Sequence, residues 1–193
     1  MIRSGLLLLA ICGAASAAVQ PIIDNERVTV WDVTWSAADP APVPAHQHDF
    51  VTVYLAGPHK GKAEFAHKGV SKGEPGERTL VIELKDHPVA PLENKTGFQL
   101  AFPRPHAKKL QENDRIITWS YTWVPGEASP MHFHDKDVVV TYLEPTALSS
   151  TTPDGKKTVN EYSAFQTKFN LRDRVHSELL IRGSGSAIMT ELK

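Results

Sequence analysis

His132 and His134 are the residues in this chain best placed to do chemistry. They lie in Ser129-Pro130-Met131-His132-Phe133-His134-Asp135-Lys136-Asp137, just ahead of the apolar run 138–143. In an extended chain, residues i and i+2 face the same way, so both imidazoles project together and Phe133 points opposite. Imidazole nitrogens at that spacing can converge on one ion with bonds of about 2.0–2.1 Å. A third imidazole and a carboxylate would complete a site for a divalent transition metal, one of Fe, Mn, Zn, Cu or Ni. His176 is the natural third ligand and Asp137 a fourth. The competing reading is a pair of strand histidines that hold no ion.

An internal repeat must position these groups. At an offset of 88 residues, Asn25-Glu26-Arg27-Val28 matches Asn113-Asp114-Arg115-Ile116, and Trp31 and Trp35 match Trp119 and Trp123. Pro42, His46, Asp49, Val51, Tyr54 and Leu55 match Pro130, His134, Asp137, Val139, Tyr142 and Leu143. Eleven of the 31 aligned positions are identical without a gap, and all four Trp fall in register. A second echo, Arg104-Pro105-His106 with Arg174-Val175-His176, implies about 18 extra residues in the first copy, best placed in the Gly- and Pro-rich stretch 57–78. The segments 28–35, 50–55, 79–84, 116–123, 138–143 and 187–192 are dense in β-branched and aromatic residues and read as strands. Short strands at this spacing predict an all-β sandwich or barrel. The strand at Ile116 could close the first barrel, open the second, or be exchanged between them.

Composition narrows the function. The 193 residues are 41% hydrophobic and 22% charged, with a net charge of −1. No basic excess exists to neutralise phosphates, which argues against nucleic acid as a partner. Residues 1–17 read as a signal peptide, with Arg3, an apolar run from Leu6 to Cys12, and an Ala15-Ser16-Ala17 cleavage site. A lipoprotein signal at Cys12 is the second option. The apolar run is too short for a membrane span. Cleavage leaves 176 residues and removes the sole cysteine, so disulfides are excluded and any metal ligands are His and carboxylates. The setting expected is periplasmic or secreted.

In these motifs the sequence resembles the cupin superfamily in a duplicated, bicupin-like arrangement. A His-x-His pair entering a strand, a nearby acid and a later third His correspond to His132, His134, Asp137 and His176. The resemblance implies two tandem cupin-type jelly-roll barrels, 18–112 and 113–193, each able to hold a metal. The usual acid is a Glu three or four residues beyond the second His. Asp137 departs from that, and Glu178, two residues after His176, is the alternative carboxylate. In the first copy Pro44 and Ala45 replace His132 and Phe133, so His46, His48 and His106 form at most a second, eroded site.

Other features read as structure. The Trp pairs share strand faces and suit core packing or a barrel-mouth lining. Asp49 and Asp137 suit a shared structural task. Arg104 and Arg174 suit either carboxylate binding or ion pairing. His59, His67 and His87 read as solvated. Three readings follow: a metal-dependent enzyme of dioxygenase or decarboxylase type acting on a small organic acid or phenol, a non-catalytic periplasmic binder of a small ligand or metal, or a structural β-barrel module with partner contacts and no metal. A dimer is compatible with each.

Overall fold

The computed structural model describes residues 19–193, so the expected leader 1–17 lies outside the described residues. These residues form fifteen strands and no helix. Among them, therefore, no helix is long and apolar enough to cross a membrane.

The first unit contributes β1 (Ile23–Asp24), β2 (Val28–Thr34), β3 (Phe50–Ala56), β4 (Ala63–Ala66) and β5 (Arg78–Leu84), in the order β1-β2-β5-β3-β4. The second unit holds two sheets. β7 (Ala107–Glu112), β8 (Ile116–Trp123), β10 (Asp137–Tyr142), β13 (Thr167–Asn170) and β15 (Gly185–Leu192) pair in the order β13-β10-β15-β8-β7. Read from β7, that is the order of the first sheet. The registers agree as well: Trp31 pairs with Val81 as Trp119 does with Met189, and Val51 with Ile82 as Val139 does with Thr190. The last sheet is built from β6 (Gln99–Leu100), β9 (His132–His134), β11 (Thr146–Thr151), β12 (Lys157–Tyr162) and β14 (Arg174–Gly183), ordered β12-β11-β14-β9-β6.

The three sheets stack as layers. Alternation along each strand sends odd and even residues to opposite faces. Val28, Val30, Val51, Val53 and Ile82 of the first sheet meet Ile116, Val139, Ile188 and Leu192 of the middle sheet. The other face of the middle sheet, with Trp119, Tyr121, Trp123, Val138, Val140 and Met189, forms a barrel interior with Leu148 and Leu180 of the last sheet. Trp31, Val33, Trp35 and Phe50 line the outer face of the first sheet. All four Trp are thus core residues, as their spacing implies.

Two details of the sequence reading change. The first copy is the shorter between its equivalent strands. β3 and β4 are joined by residues 57–62 alone, where the second unit inserts β11 and β12, and 67–77 run where the second unit has β14. The outer layer of the first unit is therefore loop, tied by one bridge between His46 and Gly69. The extra residues lie instead in 85–106. That segment crosses to the second unit, where β6 pairs parallel with β9 and β7 antiparallel with β8. Sheet pairing therefore moves 99–112 into the second unit, against the boundary expected at 112/113. β8 belongs to the second barrel and is not exchanged, since its partners are β7 and β15.

The repeated Asn-x-Arg turn fastens the units. Asn25 Oδ1 accepts the amides of Arg27 and Val28 at 2.8 and 3.0 Å, and Asn113 Oδ1 accepts those of Arg115 and Ile116 at the same distances. Each arginine then reaches the other unit. Arg27 pairs with Asp137 and donates to the Lys193 carbonyl. Arg115 approaches Asp49 at 3.8 Å and donates to the Lys85 carbonyl. Asp137 also accepts the Arg172 amide at 2.8 Å. This is the self-complementary pattern of a two-fold interface, built within one chain.

The Arg27–Asp137 pair is almost solvent-free, with side chains 9% and 7% exposed, whereas Arg115 and Asp49 are 23% and 26% exposed. Removing one partner of a buried pair strands the other charge, at a cost of about 3–5 kcal/mol. Asp137→Ala is expected to lower the urea unfolding free energy by about 3 kcal/mol. Asp49→Ala, at the wetter pair, is expected to lower it by about 1 kcal/mol or less. Equal losses would show that the two pairs are not energetically distinct.

Candidate metal centre

Strand pairing explains how residues 42 apart meet. β9 runs antiparallel to β14, with His132 opposite His176 and His134 opposite Arg174. On β14 the period of two sends Arg174, His176, Glu178 and Leu180 into the barrel. The link to β15 is tight: Gly183 has φ +85°, and a Cβ there would lie 2.1 Å from the Pro145 carbonyl oxygen. Glycine is needed at that turn, and the turn holds β14 against the barrel.

His132, His134 and His176 converge, with one ring nitrogen from each lying within 4.8 Å of the others. Their ring centroids are 4.8–5.1 Å apart. No other group of three His, Cys, Asp or Glu side chains does this among the described residues. The Nε2 atoms of His134 and His176 are 3.0 Å apart. Two nitrogens bound at about 2.1 Å and at right angles on one ion are separated by about 3.0 Å. The donor set and this spacing fit a transition metal.

Proton positions also fit. The His132 Nδ1–H donates to the Pro130 carbonyl oxygen at 2.8 Å; a carbonyl can only accept, so Nε2 carries the lone pair. His176 Nδ1 lies 3.2 Å from Ser150 Oγ, which leaves its Nε2 facing His134. Such partners on the far nitrogen fix ring orientation at metal sites. Burial pushes the His132 pKa down to about 2, with the Arg104 charge and His176 adding to it. Burial, then Arg174, hold His134 well below the ordinary imidazole value. His176 is lowered by burial while Glu178 opposes the shift. All three rings are neutral at neutral pH, the form that binds metal.

The surroundings are cationic. Arg104 is fully enclosed and lies with its guanidinium carbon 3.9 Å over the Tyr121 ring. Its Nη1 donates to His132 Nε2 at 2.8 Å, and its Nη2 is 3.9 Å from Glu178 Oε2. Arg104 Nε and Arg174 Nη2 are buried without partners. Glu178 Oε2 accepts the Trp123 indole N–H at 3.1 Å. Arg104, His134, Arg174, His176 and Glu178 line one cavity of about 20 Å³, closed on its apolar side by Val138, Val140 and Met189.

The remaining candidates lie elsewhere. Asp137 is taken by Arg27 and the Arg172 amide at the inter-unit seam, so it is structural and not the fourth ligand. Glu178, the alternative carboxylate, is the acid that lines the cavity. His46, His48 and His106 do not assemble. His46 is buried between Trp31 and Phe50, at centroid distances of 5.3 and 4.3 Å, and both its ring nitrogens lack partners. Glu83 comes no nearer than 3.5 Å. His48 faces Asp86 and His106 faces Glu127. The reason is topological: the first unit has no counterpart of β14 to bring a third histidine, and the Gly69 backbone fills that place. His59, expected in solvent, instead pairs with the buried Glu77 at 2.8 Å. Ser150 and the Pro130 carbonyl were not legible, because neither residue type nor spacing marks them.

No protein-family model and no curated protein matches this sequence. Solved structures do resemble it. A cupin 2 conserved barrel domain protein from Leptotrichia buccalis is 12% identical over 95% of this chain and 92% of its own, with a TM-score of 0.53. Oxalate decarboxylase from Bacillus subtilis is 10% identical over 86% of this chain and 68% of its own, with a TM-score of 0.51. At these identities the likeness is one of fold, and it is the all-β barrel fold that the cupin resemblance implies.

Neutral buried imidazoles couple folding to pH. An unfolded imidazole titrates near 6.5. Below that value the unfolded chain takes up protons that the folded centre refuses, so stability is present above it and is lost as pH falls. The metal-free protein is expected to show a falling urea midpoint between about pH 7 and pH 5. A midpoint flat across that window, in the wild type, would contradict neutral imidazoles.

Proposed function

We propose that this chain of the cupin fold is an exported, metal-dependent protein acting on a small organic acid at the His132–His134–His176 centre, by decarboxylase- or dioxygenase-like chemistry. The observation that carries this reading is the set of three neutral imidazoles, two buried and one half-buried, two of them with their Nε2 atoms 3.0 Å apart, beside two guanidinium groups. The signal-like residues 1–17 support export. The shared strand order and register of the first and middle sheets support an origin by duplication. A fold neighbour named as an oxalate decarboxylase supports an organic acid as substrate.

A divalent ion held by the three imidazoles would supply Lewis-acid polarisation and an open coordination position. The protein supplies the rest. Arg104 and Arg174 offer charge-assisted hydrogen bonds that orient a carboxylate. Glu178, the single carboxylate lining the cavity, can take or return a proton at Oε2, where the Trp123 indole holds it. Val138, Val140 and Met189 form the cavity's apolar wall. The cavity is small, about 20 Å³, and its two guanidiniums suit an acid. The same tightness also favours a second reading, a binding protein that holds the ion and a small ligand without turnover.

Elemental analysis of the purified chain is expected to find about one transition-metal ion per chain, lost in the double variant His132→Ala, His134→Ala. Unchanged metal content in that variant would place the ion elsewhere. Turnover of small mono- and dicarboxylic acids by the loaded protein separates the enzyme from the binder.

A further inference from the structure

One long sheet edge stands open at the surface. β12 (Lys157–Tyr162) ends the last sheet, with β11 as its only strand partner among the described residues. The other end strands are shorter or covered: β1 and β6 hold two residues each, β13 holds four, and β4 lies beside β7 across the seam. The hairpin leading into β12 sets which of its backbone groups are free. The Thr152 amide donates to the Lys156 carbonyl at 3.0 Å, so these two residues form a bonded pair. Bonded and non-bonded pairs alternate along an antiparallel ladder. The bonded pairs of β11 and β12 are therefore Ser150 with Thr158, Leu148 with Asn160, and Thr146 with Tyr162. The N–H and C=O groups of Lys157, Val159 and Glu161 point away from β11, and no described backbone group meets them.

The side chains of β12 alternate as well. Tyr162 turns inward and stacks on Tyr142 with centroids 3.7 Å apart, and Thr158 and Asn160 share its face. Lys157, Val159 and Glu161 take the outer face, where Val159 is 61% exposed. Glu161 holds Arg182 through Oε1, and Asp154 offsets Lys156 within the hairpin turn. An open edge is a template for another strand, and proteins commonly guard it with lysine. Here the guard is balanced about a centre. Lys157 lies two residues before Val159 and Glu161 two after, so the strand complements itself when turned end for end. A copy paired antiparallel about Val159 sets Lys157 opposite Glu161 at both ends, and opposite charges directly across a ladder attract. The three facing pairs that result, 157 with 161, 159 with 159 and 161 with 157, are the ones whose free backbone groups meet, two bonds to each pair. A slip by two residues sets a charge over Val159 and breaks both ion pairs, and a slip by one sends facing side chains to opposite faces.

We propose that this chain forms a two-fold dimer through β12, paired antiparallel about Val159, so that the last sheets of two copies join into one continuous sheet. The partner is a second copy because the charge order that fits this edge is its own order reversed. The contact is isologous and closes at two subunits, since each copy has one such edge. It is independent of the metal centre and of the seam between the two units. A single strand pair buries less than the about 1,600 Å² of a standard interface, so the dimer exchanges with monomer.

The test is sedimentation velocity of the purified full chain over a concentration series at low salt. The wild type is expected to pass from the mass of one chain towards that of two as concentration rises. Val159→Pro removes an N–H that β11 does not use, and proline is tolerated on an edge strand, so the fold is kept and the dimer is lost. Circular dichroism and the thermal midpoint check that variant. Glu161→Lys sets like charges opposite at both ends and is expected to weaken the dimer Kd by about tenfold or more. The double variant Lys157→Glu, Glu161→Lys restores the complement and is expected to recover the wild-type Kd. A wild type that stays monomeric throughout overturns the proposal. A dimer unchanged in Val159→Pro and Glu161→Lys overturns it too, by placing the contact on another face. Loss in Glu161→Lys without recovery in the double variant overturns the register centred on Val159.

Discussion

The structure depends on one sheet being buried on both faces. Along β10 every residue is buried, and along β15 all but one. Val139, Ile188 and Leu192 face the first unit, while Val138, Val140 and Met189 face the barrel. Such a sheet cannot be stable alone, because either face left open would expose a continuous apolar surface. The first unit covers one face, and the sheet that carries His132 and His176 covers the other. The histidine cluster is therefore held on a layer whose position is fixed by packing from behind, the condition for keeping ligand geometry without a metal.

Much of this was legible, and the limits have physical causes. The 88-residue offset fixed the equivalence of β2 with β8 and of β3 with β10, because the turn Asn and the strand Trp are constrained by backbone hydrogen bonds and by volume. The His-x-His pair and His176 were legible because a period of two makes face-sharing automatic. The echo between Arg104-Pro105-His106 and Arg174-Val175-His176 misled. Arg174 and His176 lie in a strand, whereas His106 has φ +64° where the chain turns into β7, and its ring faces Glu127. Three matching letters carry no information about backbone state. Asp137 misled for a different reason. It is repeated because its partner Arg27 is repeated, so its retention reflects the seam between units and not the metal.

The two units also show how one framework position serves different ends. His46 is the register equivalent of His134, and Glu83 that of Glu191. In the second unit Glu191 accepts the Trp119 indole N–H. In the first, Glu83 Oε1 accepts the amides of Gln47 and His48 at 2.7 and 3.0 Å, holding the loop that covers Trp31 and Phe50. His46 stays neutral there, lowered by burial, and fills space as an aromatic ring. A histidine persists in both units, but only the second has β14, so only there does it meet a third imidazole. Chemistry in this fold follows the presence of the second sheet more than the presence of the residue.

The segment 85–106 ties these arguments together. It leaves the first unit after β5 and crosses to the second. There it adds β6 beside β9 and inserts Ala101, Phe102 and Arg104 into the barrel. Phe102 stacks on Trp119 with centroids 5.0 Å apart and closes the apolar end. Arg104 follows two residues later and reaches the polar end, against His132. A buried guanidinium with an unpartnered nitrogen is costly unless a ligand completes it. The apolar packing of Phe102 offsets part of that cost and fixes where the charge is delivered. The first unit thus contributes to the centre in two ways. Its sheet supports the middle layer from behind, and its trailing segment delivers the Arg104 guanidinium against His132.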